Sequence, residues 1–136
     1  MKNIRVLETS LYVADLDKSE EFYRDLFGWE MLLSDDRMRA LNVNGTSVLL
    51  LFKRGGTTDG EEVPGGFIPP HDATGTIHLC FAIDKADLDN WNRVLESHDV
   101  EIISTVFPPR GGTSLYFRDL DGHLLELATP GIWEIY

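Results

Sequence analysis

A single cysteine, Cys80, stands in a chain of 136 residues, so no intrachain disulfide can form and a thiolate zinc cluster is excluded. Positive charge is scarce. Lys and Arg number 12 against 23 Asp and Glu, a formal charge of −11, with no basic run among them. Nucleic-acid binding needs a basic face to displace counterions, and an acidic surface is repelled by anionic membranes, so neither partner is expected. No run of about 18 apolar residues occurs, which leaves no transmembrane helix. The opening stretch Met1–Leu7 lacks the apolar core of a secretory signal. These absences point to a cytoplasmic protein. What remains is an ordinary globular balance, 43% hydrophobic and 26% charged, long enough for one domain with its own core.

Along the chain, Arg5–Val13 reads as a strand with Glu8, Ser10 and Tyr12 on one face and Leu7, Leu11 and Val13 on the other or near its edge. Asp17 is the expected helix N-cap, with Glu20 completing a capping box. Phe22, Tyr23, Leu26 and Phe27 form the apolar side of that helix, and Gly28 ends it. Strands are expected at Glu30–Leu33, Met38–Val43 and Ser47–Phe52, the last two joined by the hairpin pair Asn44-Gly45. From Lys53 to Gly75 the pattern vanishes into Gly, Pro and Thr, a linker or a lid.

The second half repeats the first. Thr76–Ile83 is a strand, a helix begins near Asp84 with Ala86, Leu88, Trp91, Val94 and Leu95 on its apolar side, and Val100–Ser104, Thr113–Phe117 and His123–Ala128 complete three more strands. The predicted fold is α+β: one domain, 1–136, of two βαβββ modules at about 4–53 and 76–130, joined by loop 54–75. The modules form a cupped mixed sheet around a central metal cavity, with the helices outside.

Alternate side chains of a strand point to opposite faces. Ile77, Leu79 and Phe81 belong under the helix, which turns His78, Cys80 and Ala82 to the concave side. Leu125 and Leu127 likewise turn Glu126 inward. Glu8 and His78 lie five residues before Val13 and Ile83, so they hold equivalent places in the repeat, and Leu50 is the counterpart of Glu126. Two carboxylates and one imidazole make an N/O site for one divalent ion, with Zn, Mn, Fe, Ni and Co all admissible. Glu126, set among Leu124, Leu125 and Leu127, is a charge that burial would penalise unless compensated.

The segments LETSLYVADLDKSEEFYRDLFGWE, GTIHLCFAI and GGTSLYFRDLDGHLLELATP resemble the vicinal oxygen chelate superfamily, which includes glyoxalase I, extradiol dioxygenases, fosfomycin-resistance enzymes and bleomycin-binding proteins. The resemblance covers nearly the whole chain outside Lys53–Gly75. It implies paired βαβββ modules around a metal, with His78 and Glu126 at usual ligand positions. Glu8 falls where many members carry histidine, and Leu50 where glyoxalase I has a fourth ligand. It also implies a homodimer.

Around such a metal, Ser10, Leu50, Cys80, Tyr116 and the loop residue His71 are the expected substrate-pocket residues. Cys80 is expected to be inert, and Arg110-Gly111-Gly112 to be a turn. Three protein ligands leave open positions on an octahedral ion, as in dioxygenases. Two carboxylates neutralise a divalent charge, however, which disfavours a dianionic catecholate and favours proton transfer with Glu8 or Glu126 as the base. The reading is a metal-dependent glyoxalase-like lyase or isomerase acting on a small substrate. An extradiol-type dioxygenase and a metal-free drug-binding protein are the alternatives.

Overall fold

The computed structural model describes residues 2–136. It divides into two compact units, Met1–Gly75 and Thr76–Tyr136. The first contains β1 (Glu8–Val13), α1 (Leu16–Phe27), β2 (Glu30–Ser34), β3 (Met38–Val43) and β4 (Ser47–Lys53). These strands form one mixed sheet in the order β1-β4-β3-β2, with β1 parallel to β4 and the remaining pairs antiparallel.

Strand parity builds its core. Leu11, Val13, Leu41, Leu49 and Leu51 are almost wholly buried, with Tyr23 and Leu26 of α1, and α1 packs on β4 and β3. The helix starts two residues earlier than its sequence signals implied. Asp15, in an extended conformation, is the N-cap and accepts a 3.0 Å bond from Lys18 N–H. Asp17 lies inside the first turn instead. Glu20 does not close a capping box, because Arg39 and Arg24 take its two oxygens. Gly28, at φ 70°, closes the helix with its N–H on the Arg24 carbonyl, a backbone shape that a Cβ would strain. Asn44 and Gly45 both have positive φ at the centre of the turn that Thr46 N–H closes on the Val43 carbonyl, within the three-residue loop between the paired Val43 and Ser47.

The stretch beyond Lys53 is not patternless. β5 (Glu61–Val63) and β6 (Gly66–Ile68) pair as a small antiparallel hairpin around Pro64-Gly65. Pro presets the first turn position and Gly65, at φ 100°, supplies the second, so the Pro-Gly pair was the overlooked signal.

The second unit contains β7 (His78–Ala82), a short 3-10 turn at Lys85–Asp87, α2 (Leu88–Ser97), β8 (Ser104–Val106), β9 (Ser114–Arg118) and β10 (Leu124–Ala128). The sheet order β7-β10-β9-β8 repeats that of the first unit, and β7 again runs parallel to its neighbour. Leu95, Leu115, Phe117, Leu125 and Leu127 are its buried centre. Ala86 is exposed and Trp91 only half-buried, because the 3-10 turn delays the helix to Leu88. The strand expected at Val100–Ser104 lies further on. Val100 N–H still bonds the Leu95 carbonyl at 2.9 Å and Asp99 takes a positive φ, so these residues finish the helix instead of entering the sheet.

The two units are α+β and share one plan, two βαβββ modules with the β5–β6 hairpin as a small addition. The register makes the repeat concrete. Ser10 stands opposite Leu50 in one unit and Cys80 opposite Glu126 in the other, so Leu50 does occupy the place of Glu126.

Candidate metal site

In the second unit, β10 lies between β7 and β9, and Glu126 is flanked by Cys80 on one side and Tyr116 on the other. The inward parity of these three side chains, with His78 two residues before Cys80, collects them on the sheet face opposite Leu125 and Leu127. Glu126 is 5% exposed, so its charge needs partners. His78 Nε2 lies 3.1 Å from Glu126 Oε2. Cys80 and Tyr116 flank the carboxylate and both feel its charge.

The tautomer of His78 follows from its other nitrogen. Nδ1 is 3.0 Å from the Leu124 carbonyl, and a carbonyl can only accept, so Nδ1 carries a proton. In the neutral ring Nε2 therefore presents a lone pair to a carboxylate oxygen at 3.1 Å. Two lone pairs at that distance repel unless a proton or a metal cation sits between them. A metal-ligating histidine typically has this arrangement, its far nitrogen fixed by a backbone carbonyl. The separation also fits: two neighbouring ligands of an octahedral ion at about 2.1 Å lie about 3 Å apart. His78 and Glu126 thus suit a divalent ion in chemistry and in span.

Burial and then the charge of Glu126 push the Cys80 thiol up to about 12. The Tyr116 phenol is raised by burial and by Glu126. Both stay protonated near neutrality.

The first unit holds the other expected residues. Glu8 opens β1 and is exposed, Ser10 is half-buried on the same face, and Leu50 is buried opposite it. Leu50 joins Ala40 and Phe52 in an apolar cluster with Tyr12, Met38 and Val48 packed against it. His71 reaches this face from the loop. Its Nδ1 is 2.5 Å from the Tyr12 hydroxyl, and its ring meets Phe52 edge-on at 4.7 Å. Tyr12 was missed as a site candidate, although its parity with Glu8 and Ser10 marks it. Among the described residues, no three His, Cys, Asp or Glu side chains converge to hold an ion. The prearranged donors are the pair in the second unit.

Residues 5–127 match the profile of the Glyoxalase/Bleomycin resistance protein/Dioxygenase superfamily. The chain belongs to this superfamily. Among its relatives is Metallothiol transferase FosB of Staphylococcus haemolyticus, 30% identical over 88% of this chain and 79% of the relative. FosB of a Staphylococcus epidermidis strain is 32% identical over 86% and 75%. Among solved structures, lactoylglutathione lyase from Agrobacterium tumefaciens superposes with a TM-score of 0.88 at 33% identity, covering 98% of this chain and 99% of that one. These superfamily relatives support a metal-dependent enzyme. They differ among themselves in the reaction their names describe.

Proposed function

We propose that the protein is a divalent-metal-dependent lyase or isomerase of the glyoxalase kind, acting on a small substrate that meets the metal through two neighbouring oxygens. The observation that carries this reading is the His78–Glu126 pair, whose fixed tautomer turns a lone pair toward a carboxylate 3.1 Å away. His78 and Glu126 are two ligands and Glu8 is the third. Zn, Mn, Fe, Ni and Co are all compatible with this donor set. Leucine at position 50 cannot donate, so three protein ligands leave positions for substrate and water. When bound, the ion would act as a Lewis acid toward the substrate oxygens.

The chain's own groups then divide the work. The Leu124 carbonyl holds the His78 ring in orientation. Tyr116 and Cys80 stand opposite Glu126 on the neighbouring strands and flank its carboxylate with neutral groups. That carboxylate, or Glu8, accepts a proton from the carbon beside a substrate carbonyl and returns it to the neighbouring carbon. Two glutamates cancel a divalent charge, which favours this proton transfer over ring cleavage of a dianionic catecholate. Function as a homodimer in the cytoplasm belongs to the same proposal.

Thiol addition is the second reading, favoured by sequence identity of about a third to FosB. Elemental analysis of natively purified protein, beside His78→Ala/Glu126→Ala, tests the metal. One transition-metal ion per chain, lost in the double variant, is expected. Turnover of α-oxo hemithioacetals without consumption of free thiol then marks the lyase, whereas consumption of thiol marks the transferase. No metal in the parent, even after reconstitution, would sink both and leave a ligand-binding protein.

A further inference from the structure

β7 ends the sheet order β7-β10-β9-β8 and pairs with β10 alone. It is five residues long, and His78 is the first of them. The side chain of His78 is 48% exposed, so packing does little to hold the ring. A solvated imidazole left to itself favours its proton on Nε2. The ring keeps the other tautomer because Nδ1 meets the Leu124 carbonyl, and that contact lasts only while the start of β7 stays in register with β10.

In a parallel ladder, alternate residues of a strand turn both N–H and C=O to the neighbouring strand. Ile77 makes one of these bonds, its carbonyl accepting from Leu124 N–H at 2.8 Å. Its N–H would next reach the Gly122 carbonyl. The chain turns there, with Gly122 at φ 82°, and that carbonyl accepts from Arg118 Nη1 at 2.8 Å. His123 takes the donor instead. Ile77 N–H lies 3.1 Å from His123 Nδ1, so Nδ1 offers a lone pair and the neutral ring carries its proton on Nε2. His123 is 2% exposed, so water does not substitute for it. Its backbone is fixed in turn by Asp119, whose Oδ1 accepts from Asp121 N–H at 3.0 Å and His123 N–H at 2.9 Å. A Cβ at Gly122 would lie 3.3 Å from Thr76 Cγ2, so the lead-in to β7 rests against this same turn. Every one of these contacts lies within the second unit.

We infer that His123 is a positioning residue for the metal pair. It holds the Ile77 amide, and through the Ile77 and Leu124 peptide groups it fixes the place and the tautomer of His78. The inference deepens the proposed function and rests on it for the role of His78 as a ligand, whereas the hold on the His78 ring exists without metal.

Nitrogen NMR of the histidine rings in the metal-free full chain reads the tautomers, and calorimetric zinc titration reads the affinity. The parent should show His78 with its proton on Nδ1 and His123 with its proton on Nε2. His123→Leu keeps apolar volume without an acceptor. It should return His78 to a mixture dominated by the Nε2 proton and weaken zinc by about 10- to 100-fold, as loss of an outer partner does. His123→Asn, whose oxygen can take the place of Nδ1, should keep the His78 tautomer and lose less than about threefold in affinity, below that range. His123→Gln, whose amide reaches the place of Nε2, should behave as His123→Leu does. Thermal melting accompanies each variant, and if His123→Leu does not fold, the Gln and Asn variants carry the comparison. A parent whose His123 bears its proton on Nδ1 overturns the inference. So does a folded His123→Leu that leaves the His78 tautomer or the zinc affinity unchanged, or a folded His123→Asn that loses them. Tautomers that respond as stated in a parent that takes up no metal sink the proposed function and leave the hold of His123 on His78 standing. Zinc held equally by the parent and His123→Leu sinks the positioning alone.

Discussion

Cys80 provides a chemical gauge of the Glu126 environment. Although the residue as a whole is exposed, its thiol is pushed from 9.0 up to about 12, by local desolvation of the sulfur first and by the Glu126 carboxylate second. At pH 8 an ordinary thiol is about one-tenth thiolate, whereas one titrating near 12 is about one ten-thousandth, roughly a thousandfold less nucleophile. A more basic thiolate is intrinsically more reactive, with a Brønsted coefficient of about 0.4–0.5, which restores about 20- to 30-fold over three units. Scarcity of thiolate wins, and the net expectation is a reaction about 30- to 50-fold slower than in unfolded chain. The assay is disulfide exchange with a chromogenic aryl disulfide at pH 8, native protein beside protein in denaturant. Glu126→Gln should speed the native reaction several-fold without matching the unfolded rate, because burial, the larger cause, remains. The sign in stability follows. A raised acid keeps its proton better in the folded state, so the contribution is present below pH 9 and lost as pH rises toward 12. A native rate within threefold of the unfolded one would refute this account of Cys80 and its contact with Glu126.

Two further outcomes follow from the same geometry. Glu8→Ala should weaken metal binding by on the order of a hundredfold, since even outer partners of ligands are worth 10- to 100-fold; unchanged affinity in a metal titration would remove Glu8 from the ligand set. Arg39→Met should cost about 2–3 kcal/mol in urea denaturation, chiefly from Glu20, because Arg39 is 11% and Glu20 17% exposed while the Asp17 partner is 87% exposed and contributes little. A loss below about 0.5 kcal/mol would show that the pair carries no more than a surface bridge.

The elements that a single period determines were legible in the residues. Alternation placed Leu11 and Val13 in the core and Glu8, Ser10 and Tyr12 on the other face, because a strand's side chains alternate whatever surrounds it. The Asn44-Gly45 turn and the Gly28 helix stop were equally local, being demands on φ that few residues meet. Where two local signals competed, neighbours elsewhere in the chain decided. Asp15 and Asp17 could each cap α1, and Arg39 settled the matter by pairing with Asp17 and Glu20 from a strand beyond the helix. Val100–Ser104 had strand composition, yet closing α2 onto Leu95 used its first residues.

The candidate site divides along the same line. Sequence by itself determined which side chains share a face and that Leu50 takes the place of Glu126, since both follow from strand parity and an internal repeat. Only the tertiary structure decided that Nδ1 of His78 meets the Leu124 carbonyl, that Cys80 and Tyr116 flank one buried carboxylate, and that His71 crosses 59 positions of chain to meet Tyr12. Those contacts depend on strand register and on where a long loop folds back, and both are set by packing between segments far apart in sequence.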